Sequence, residues 1–118
     1  MYELMQHLIA FKYACKINHW STNEYAQHLL YDRLAEGVDE WVDKVAESHF
    51  MAGDEKSVFK PDLLTSKMIS RNIVGMCESI ISHLEELQED DELNEGAKSL
   101  LGDIEAEFLV KLALAKLA

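Results

Sequence analysis

The sequence is poor in residues that break helices, with one proline and five glycines among its 118 residues. Its many leucine, alanine, glutamate and lysine residues favour helix throughout, and no β-strand pattern competes. No run of about 18 apolar residues occurs, so we predict no transmembrane segment. These absences predict an all-α protein, and the length suits one domain over residues 1–118.

Cysteine is also scarce, because the chain has only Cys15 and Cys77. They form neither a C-x-x-C pair nor a disulfide framework, so we interpret both as small buried thiols. The first six residues contain Glu3 and no basic cluster, so no signal peptide is predicted. The expected location is therefore the cytoplasm.

Basic residues are half as numerous as acidic ones, at 11 against 22, which gives a net charge of −11. Nucleic-acid binding draws on lysine and arginine contacts to phosphate, and neither end of the chain carries a basic tail. We therefore expect no direct DNA binding and no membrane association. An acidic surface suits the collection of cations, and it also keeps a small protein soluble.

Apolar residues recur at three- and four-residue steps and predict four helices. These helices cover about residues 2–20, 24–51, 62–88 and 93 to the C-terminus, with the clearest loop at 54–61. Helices of this kind bury their apolar stripes against one another, so the sequence predicts a four-helix bundle. The very apolar stretch 108–118 exceeds what one bundle can bury and indicates a subunit interface.

Residue types that bind metals are placed at helical spacing in the second predicted helix: His28, Asp32, Asp43 and Glu47. Steps of four and eleven residues return to nearly the same azimuth, at about 100° per residue. The pair His19-Trp20 precedes this row. Imidazole and carboxylate groups suit iron, zinc or manganese, and the ligand types do not choose among these ions.

Two constraints limit the metal chemistry of this row. A di-iron site inside a bundle uses Glu-x-x-His pairs, and no acidic residue here stands three positions before a histidine. Asp32 and Asp43 lie about 16 Å apart along one helix, so one ion cannot bind both within a subunit. A single centre using all four residues requires a second subunit, and antiparallel two-fold pairing of this helix supplies it.

At these residues the chain resembles the ferritin-like Dps group, the DNA-binding proteins from starved cells. The similar segments are INHW, YAQHLLYDRLAEGVDEWVDKVAES and the glycine at position 53. The resemblance implies a ferritin-like four-helix bundle that forms a two-fold dimer or a larger cage. It also implies that Fe(II) is sequestered and oxidised by peroxide or O₂, as in a ferroxidase. The implied ligands are His19, His28 and Asp32 of one subunit with Asp43 and Glu47 of its mate, near Trp20.

The chain departs from that family in three respects. His19 and His28 are nine residues apart instead of the usual twelve, the small helix between the second and third helices is missing, and so is the basic tail. The residues available for the connection span at most about 35 Å, which accommodates a ferritin-type crossover or a plain up-down turn.

Two other functions remain open at this point. The first is a degenerate ferritin-like bundle that acts as a dimeric structural or interaction protein without metal. The second is a regulatory bundle that binds zinc or manganese. A separate group, His83 with Glu86 and Glu78, is interpreted as a polar helix face, and His7 and His49 have no evident partner.

Overall fold

The computed structural model describes the backbone of all 118 residues and every side chain except that of Lys56. The described backbone contains helices and no strand, as the composition predicts. Five α-helices are present: α1 (Tyr2–Ser21), α2 (Tyr25–Ala35), α3 (Val38–Val45), α4 (Ile73–Gln88) and α5 (Glu95–Ala115). Among the described residues, no helix is both long enough and apolar enough to cross a membrane.

The second predicted helix is wrong as a continuous element, because the structure divides it into three parts. Helix α2 ends at Ala35, and Gly37 adopts a left-handed conformation with φ of 79° before α3 begins. A π-helix, Ala46–Met51, follows α3 directly. Glycine has no Cβ and adopts this conformation at little cost, whereas most residues resist it. The break therefore lies at the only glycine in the predicted helix.

The third predicted helix begins eleven residues too early, since α4 starts at Ile73 rather than Asp62. Residues 56–68 instead form three short 3-10 helices, Lys56–Val58, Pro61–Leu64 and Ser66–Met68. The side chain of Asn72 then caps α4 by accepting a hydrogen bond from the Gly75 amide at 3.0 Å. Asparagine is among the preferred residues at this position, because its oxygen satisfies an amide that has no helical partner.

The connection between α3 and α4 runs along α1 from its first turn to its last. At one end, the Gln6 amide donates to the Asp62 carbonyl at 3.0 Å. At the other end, the Asn18 amide donates to the Arg71 carbonyl at 3.1 Å, and Arg71 Nε donates back to Asn18 Oδ1 at 2.7 Å. The connection is therefore parallel to α1 and extends along roughly 18 Å of this helix, at 1.5 Å per residue.

This crossover fixes the directions of the remaining helices. Helix α4 starts beside the end of α1 and is antiparallel to it, because His83 of α4 contacts His7 near the start of α1. A short turn returns the chain as α5, which packs along α4 and also against α2. Phe11 and Phe108 meet edge to face in the core, with ring centroids 5.0 Å apart. Both phenylalanines are fully buried.

Candidate metal centre

The structure brings the two histidines of the predicted ligand set into direct contact. His19 lies in the last turn of α1 and His28 in the first turns of α2, so the short turn between these helices places them side by side. Their rings are stacked, with centroids 3.7 Å apart and planes 21° from parallel. The nine-residue spacing therefore still lets His19 reach His28.

Reciprocal hydrogen bonds hold this pair. His19 Nδ1 lies 2.6 Å from the His28 carbonyl oxygen, and His28 Nδ1 lies 2.8 Å from the His19 carbonyl oxygen. A carbonyl oxygen only accepts, so each Nδ1 must carry the proton and donate it. In the neutral rings both Nε2 atoms then keep their lone pairs. Histidines that bind metals commonly have this arrangement, with one nitrogen held by a carbonyl and the other available.

The stacked geometry is nevertheless too close for one shared ion. Two imidazoles that bind a tetrahedral ion through bonds of about 2.1 Å place their ring centroids about 5 Å apart. The centroids of His19 and His28 are separated by only 3.7 Å. A single ion can therefore use both rings only if one of them rotates out of the stack; otherwise each ring serves a different ion.

Asp32, the third predicted ligand of this subunit, is engaged by a lysine that the sequence analysis did not single out. Lys16 Nζ lies 2.7 Å from Asp32 Oδ1. This hydrogen bond and the lysine charge lower the pKa of Asp32. Lys16 stands three residues before His19 on α1, so both side chains face α2, and this spacing was the available signal. A cation at Asp32 has to compete with the ammonium group.

Asp43 and Glu47, the ligands expected from the second subunit, are both exposed and lie away from the histidine pair. Asp43 belongs to α3 and Glu47 to the π-helix, so they are one turn apart. Among the described side chains, neither carboxylate takes part in an ion pair. They are therefore the predicted ligands with the fewest competitors for a cation.

The break at Gly37 changes the row of ligands that the sequence predicted. A continuous helix would align Asp32 and Asp43 on one stripe, but the chain turns between them at Glu36 and Gly37. Lys111 of α5 stabilises this turn by donating to the Leu34 carbonyl at 2.8 Å and to the Glu36 carbonyl at 2.9 Å. The row is thus two separate pairs, one on α2 and the other divided between α3 and the π-helix that follows it.

A surface of exposed apolar side chains adjoins the histidine pair. Trp20 is 66% exposed, Tyr25 75% and Leu29 50%. These residues occupy the end of α1 and the outer face of α2, directly beside His19 and His28. Large apolar side chains grouped on a surface are typical of protein–protein contacts.

Within the part of the chain whose side chains are described, no three histidine, cysteine, aspartate or glutamate groups stand together in a way that could hold a metal ion. The pairs His19–His28 and Asp43–Glu47 therefore supply incomplete coordination within one subunit. An ion at either pair needs further ligands from water or from a second copy of the chain.

Comparison with known proteins gives a match to one family model. The model described as a family of unknown function (DUF5856) matches residues 19–112. No curated protein and no solved structure matches the chain. The matched range begins at His19 and includes all five predicted metal ligands. Because the match covers more than half of the chain, the protein belongs to the family of unknown function DUF5856.

Proposed function

We propose that this chain is a ferritin-like four-helix bundle that binds iron at sites shared between two subunits. Counting the broken α2–α3 segment as one layer, the helices form a ring in the order α1, α2–α3, α5 and α4. The crossover along α1 supports this proposal, because it separates two antiparallel helix pairs in the manner of a ferritin-type bundle. The chemistry of the donor groups also fits, since imidazole and carboxylate are ligands of iron.

The observation that carries the proposal is the placement of the two ligand pairs. His19 and His28 meet at one end of the α2–α3 layer, and Asp43 and Glu47 lie toward the other end, with the Gly37 break between them. A two-fold axis near Gly37 would bring the histidines of each subunit toward the carboxylates of its mate. The exposed surface of Trp20, Tyr25 and Leu29 would be covered by the same pairing.

Electrostatics favours a cation in such an interface. Lys12 and Lys16 pair with Asp39 and Asp32. The other exposed charges between positions 32 and 47 are four acidic and two basic: Glu36, Glu40, Asp43, Glu47, Arg33 and Lys44. Two-fold pairing opposes these like-charged surfaces, which is unfavourable unless cations neutralise them. Iron at Asp43 and Glu47 would therefore stabilise the dimer.

In this proposal Fe(II) is the substrate and peroxide or O₂ is the oxidant. Hard carboxylate oxygens favour Fe(III) over Fe(II) and so lower the potential of the bound iron. Asp43 and Glu47 would bind the ion most tightly, and His19, His28 and Asp32 of the mate would complete its surroundings. Zinc or manganese would suit the same ligands, so the metal requires a direct test.

We expect the double substitution Asp43→Ala with Glu47→Ala to abolish Fe(II) binding and to leave the helical content intact. Both side chains are exposed, so their removal costs little folding energy. The measurement is an anaerobic Fe(II) titration, with the mass in solution recorded on the same sample by light scattering. Peroxide is added afterwards to test whether the bound iron is oxidised.

The matched control is Glu36→Ala with Glu40→Ala, which removes the same charge from two exposed positions on either side of Gly37. This control should still bind iron. Undiminished binding in the Asp43 and Glu47 variant would remove those residues from the site. A wild-type protein that dimerises without metal and takes up no Fe(II) would favour the second candidate, a dimeric interaction protein, to which the exposed surface at Trp20, Tyr25 and Leu29 points.

A further inference from the structure

The second half of α5 is apolar on two opposite faces. One face is buried in the core, where Leu101, Ile104 and Phe108 are fully covered. The opposite face carries four exposed apolar residues in the last turns of α5 and the turn that follows it: Ala106, Val110, Ala113 and Leu117. We call these four residues the outer stripe. A helix that is apolar all round is normally covered on every side.

The outer stripe differs from the other exposed helix faces beside it. Earlier in α5 the same side of the helix carries Ser99 and Asp103, which are polar and exposed. The exposed face of α4 is also polar, with Glu78, Ser82 and Glu85. Within the stripe, by contrast, Val110 is 56% exposed and Leu117 77%. A continuous apolar surface of this kind is typical of a protein–protein contact, and the sequence indicates a subunit interface in the same stretch.

The side chains of the outer stripe are complementary in size to a second copy of the same stripe. Their spacing of four, three and four residues is that of a coiled-coil seam, and small residues alternate with larger ones. In an antiparallel pair, a two-fold axis between positions 111 and 112 places Ala106 opposite Leu117 of the second copy. The same axis places Val110 opposite Ala113, so each larger side chain meets an alanine. A parallel pair would instead oppose alanine to alanine and leave gaps.

The charges beside the stripe fit the same antiparallel pairing. Glu105 and Lys116 lie on one flank of α5 and are eleven residues apart, as Ala106 and Leu117 are. A two-fold axis that exchanges Ala106 with Leu117 therefore brings Lys116 toward Glu105 of the second copy. Opposite charges at the edge of an interface fix its register and orientation.

A cation is needed at this position, because two carboxylates meet there. Glu105 raises the pKa of Glu85 on α4, first through a side-chain hydrogen bond and then through its charge. Among the described side chains, neither carboxylate takes part in an ion pair. A lysine from a second copy would supply the missing positive charge. The net charge of −11 opposes the other kind of apolar partner, an anionic lipid surface.

The size of the outer stripe limits the strength of the contact. Eleven residues of helix extend about 16 Å at 1.5 Å per residue. One helix pair of this length buries less than the roughly 800 Å² per partner of a standard interface. We therefore expect self-association that depends strongly on protein concentration.

We propose that the outer stripe of α5 pairs antiparallel with the outer stripe of a second copy of the chain, about a two-fold axis between positions 111 and 112. This contact lies on a different helix from the α2–α3 interface proposed above and requires no metal. Two different two-fold contacts on one chain join more than two subunits, so together they would build an assembly larger than a dimer.

The test is analytical ultracentrifugation of the metal-free protein in EDTA over a wide range of concentration. We expect the average mass to rise above the 13.5 kDa of one chain as the concentration increases. Val110→Glu should weaken this association by at least about tenfold, because it places like charges near the two-fold axis. The matched control is Leu64→Glu, the same kind of change at a residue that is 70% exposed on the connection between α3 and α4. The control should associate as the wild type does, and circular dichroism should show equal helical content.

A charge exchange tests whether the partner is a second copy of the chain. Lys116→Glu alone and Glu105→Lys alone should each weaken self-association, since each opposes like charges across the axis. The double variant should associate more strongly than either single variant, because opposite charges meet again. An unrelated partner would not produce this recovery.

A protein that stays monomeric at every concentration would overturn the proposal, and so would equal association of the wild type and Val110→Glu. A monomer that binds phosphatidylcholine vesicles through Val110 would assign the stripe to a lipid surface instead. The measurements are made without metal, so they do not depend on Fe(II) binding by Asp43 and Glu47. Failure of this contact and failure of the iron proposal are therefore distinguishable.

Discussion

Replacement of Lys111 by methionine is expected to destabilise the protein by about 3 to 5 kcal/mol, since it removes one partner from a buried charged network. Lys111 is 5% exposed and donates to the carbonyls of Leu34 and Glu36. Methionine retains most of the apolar stem, so this change isolates the ammonium group. Without it, both carbonyls at the α2–α3 break lose their partner.

Glu107 adds to this effect. Its Oε2 is buried and has no hydrogen-bond partner among the described side chains, and its charge raises the pKa of Lys111 against the larger lowering by burial. The ammonium group therefore attracts the half-buried Glu107 carboxylate, in addition to its hydrogen bonds to two carbonyls. Removal of the positive charge would leave Glu107 uncompensated, which explains why we place the cost above that of a single hydrogen bond.

The measurement is urea denaturation followed by circular dichroism, with Lys116→Met as the control. Lys116 directly follows the last residue of α5, and its side chain is exposed. The control should change the free energy of unfolding by less than about 0.5 kcal/mol, as surface changes generally do. Equal stability of the Lys111 and Lys116 variants would show that the α2–α3 break does not depend on the ammonium group.

Elements specified by local pattern could be predicted from the sequence. Helix α1 was predicted at residues 2–20 and is observed at Tyr2–Ser21, and α5 starts within two residues of its predicted position. In both helices, the period of the apolar residues and the adjoining turn residues indicate the same helix boundary. Asn94 caps α5 by accepting from the Ala97 amide at 2.7 Å, so a local signal marks the start.

The break in the second helix could not be predicted from local pattern. A glycine within a helix costs only about 1 kcal/mol, so Gly37 alone is compatible with a continuous helix. The decisive contact comes from Lys111, more than seventy residues away in sequence. The crossover was left open for the same reason, because Asp62 and Arg71 bond to α1 across long separations.

In the candidate site, too, some features follow from local pattern and others depend on how the helices pack. The spacing of His19 and His28 predicts that they are near each other only if the turn between α1 and α2 is tight, and the structure shows this turn. The engagement of Asp32 by Lys16 depends on how α1 and α2 face each other, which the period of either helix alone does not specify. Whether Asp43 and Glu47 complete the site depends on a second subunit and stays a prediction.

Alkaline pH is expected to destabilise the protein through its two thiols. Cys15 and Cys77 are fully buried, and burial raises the pKa of each from 9.0 to about 12. A thiol whose pKa is raised by folding contributes stability that is fully present below pH 9. That contribution is lost as the pH rises toward 12, because the unfolded chain releases the proton and the folded chain retains it.

Each thiol should lower the free energy of unfolding by about 1.4 kcal/mol per pH unit in this range. Lys111 acts in the opposite sense. Burial lowers its pKa below 10.5, so the unfolded chain binds this proton more strongly and stability rises with pH in that interval. In the wild-type protein the lysine therefore offsets part of the loss of stability that the thiols cause at high pH. Substitution of the thiols is needed to separate the two contributions.

The difference between the wild type and the double variant Cys15→Ala with Cys77→Ala gives the contribution of the thiols, because both proteins retain Lys111. Urea denaturation of both proteins under reducing conditions, at about pH 8 and about pH 10, gives the change in the free energy of unfolding with pH for each protein. The variant should be less stable at the lower pH, since it has lost buried volume. Between the two pH values it should lose less stability than the wild type. Parallel slopes would mean that the thiols ionise as readily in the folded chain as in the unfolded one, which would contradict their burial beside the core of α1 and α4.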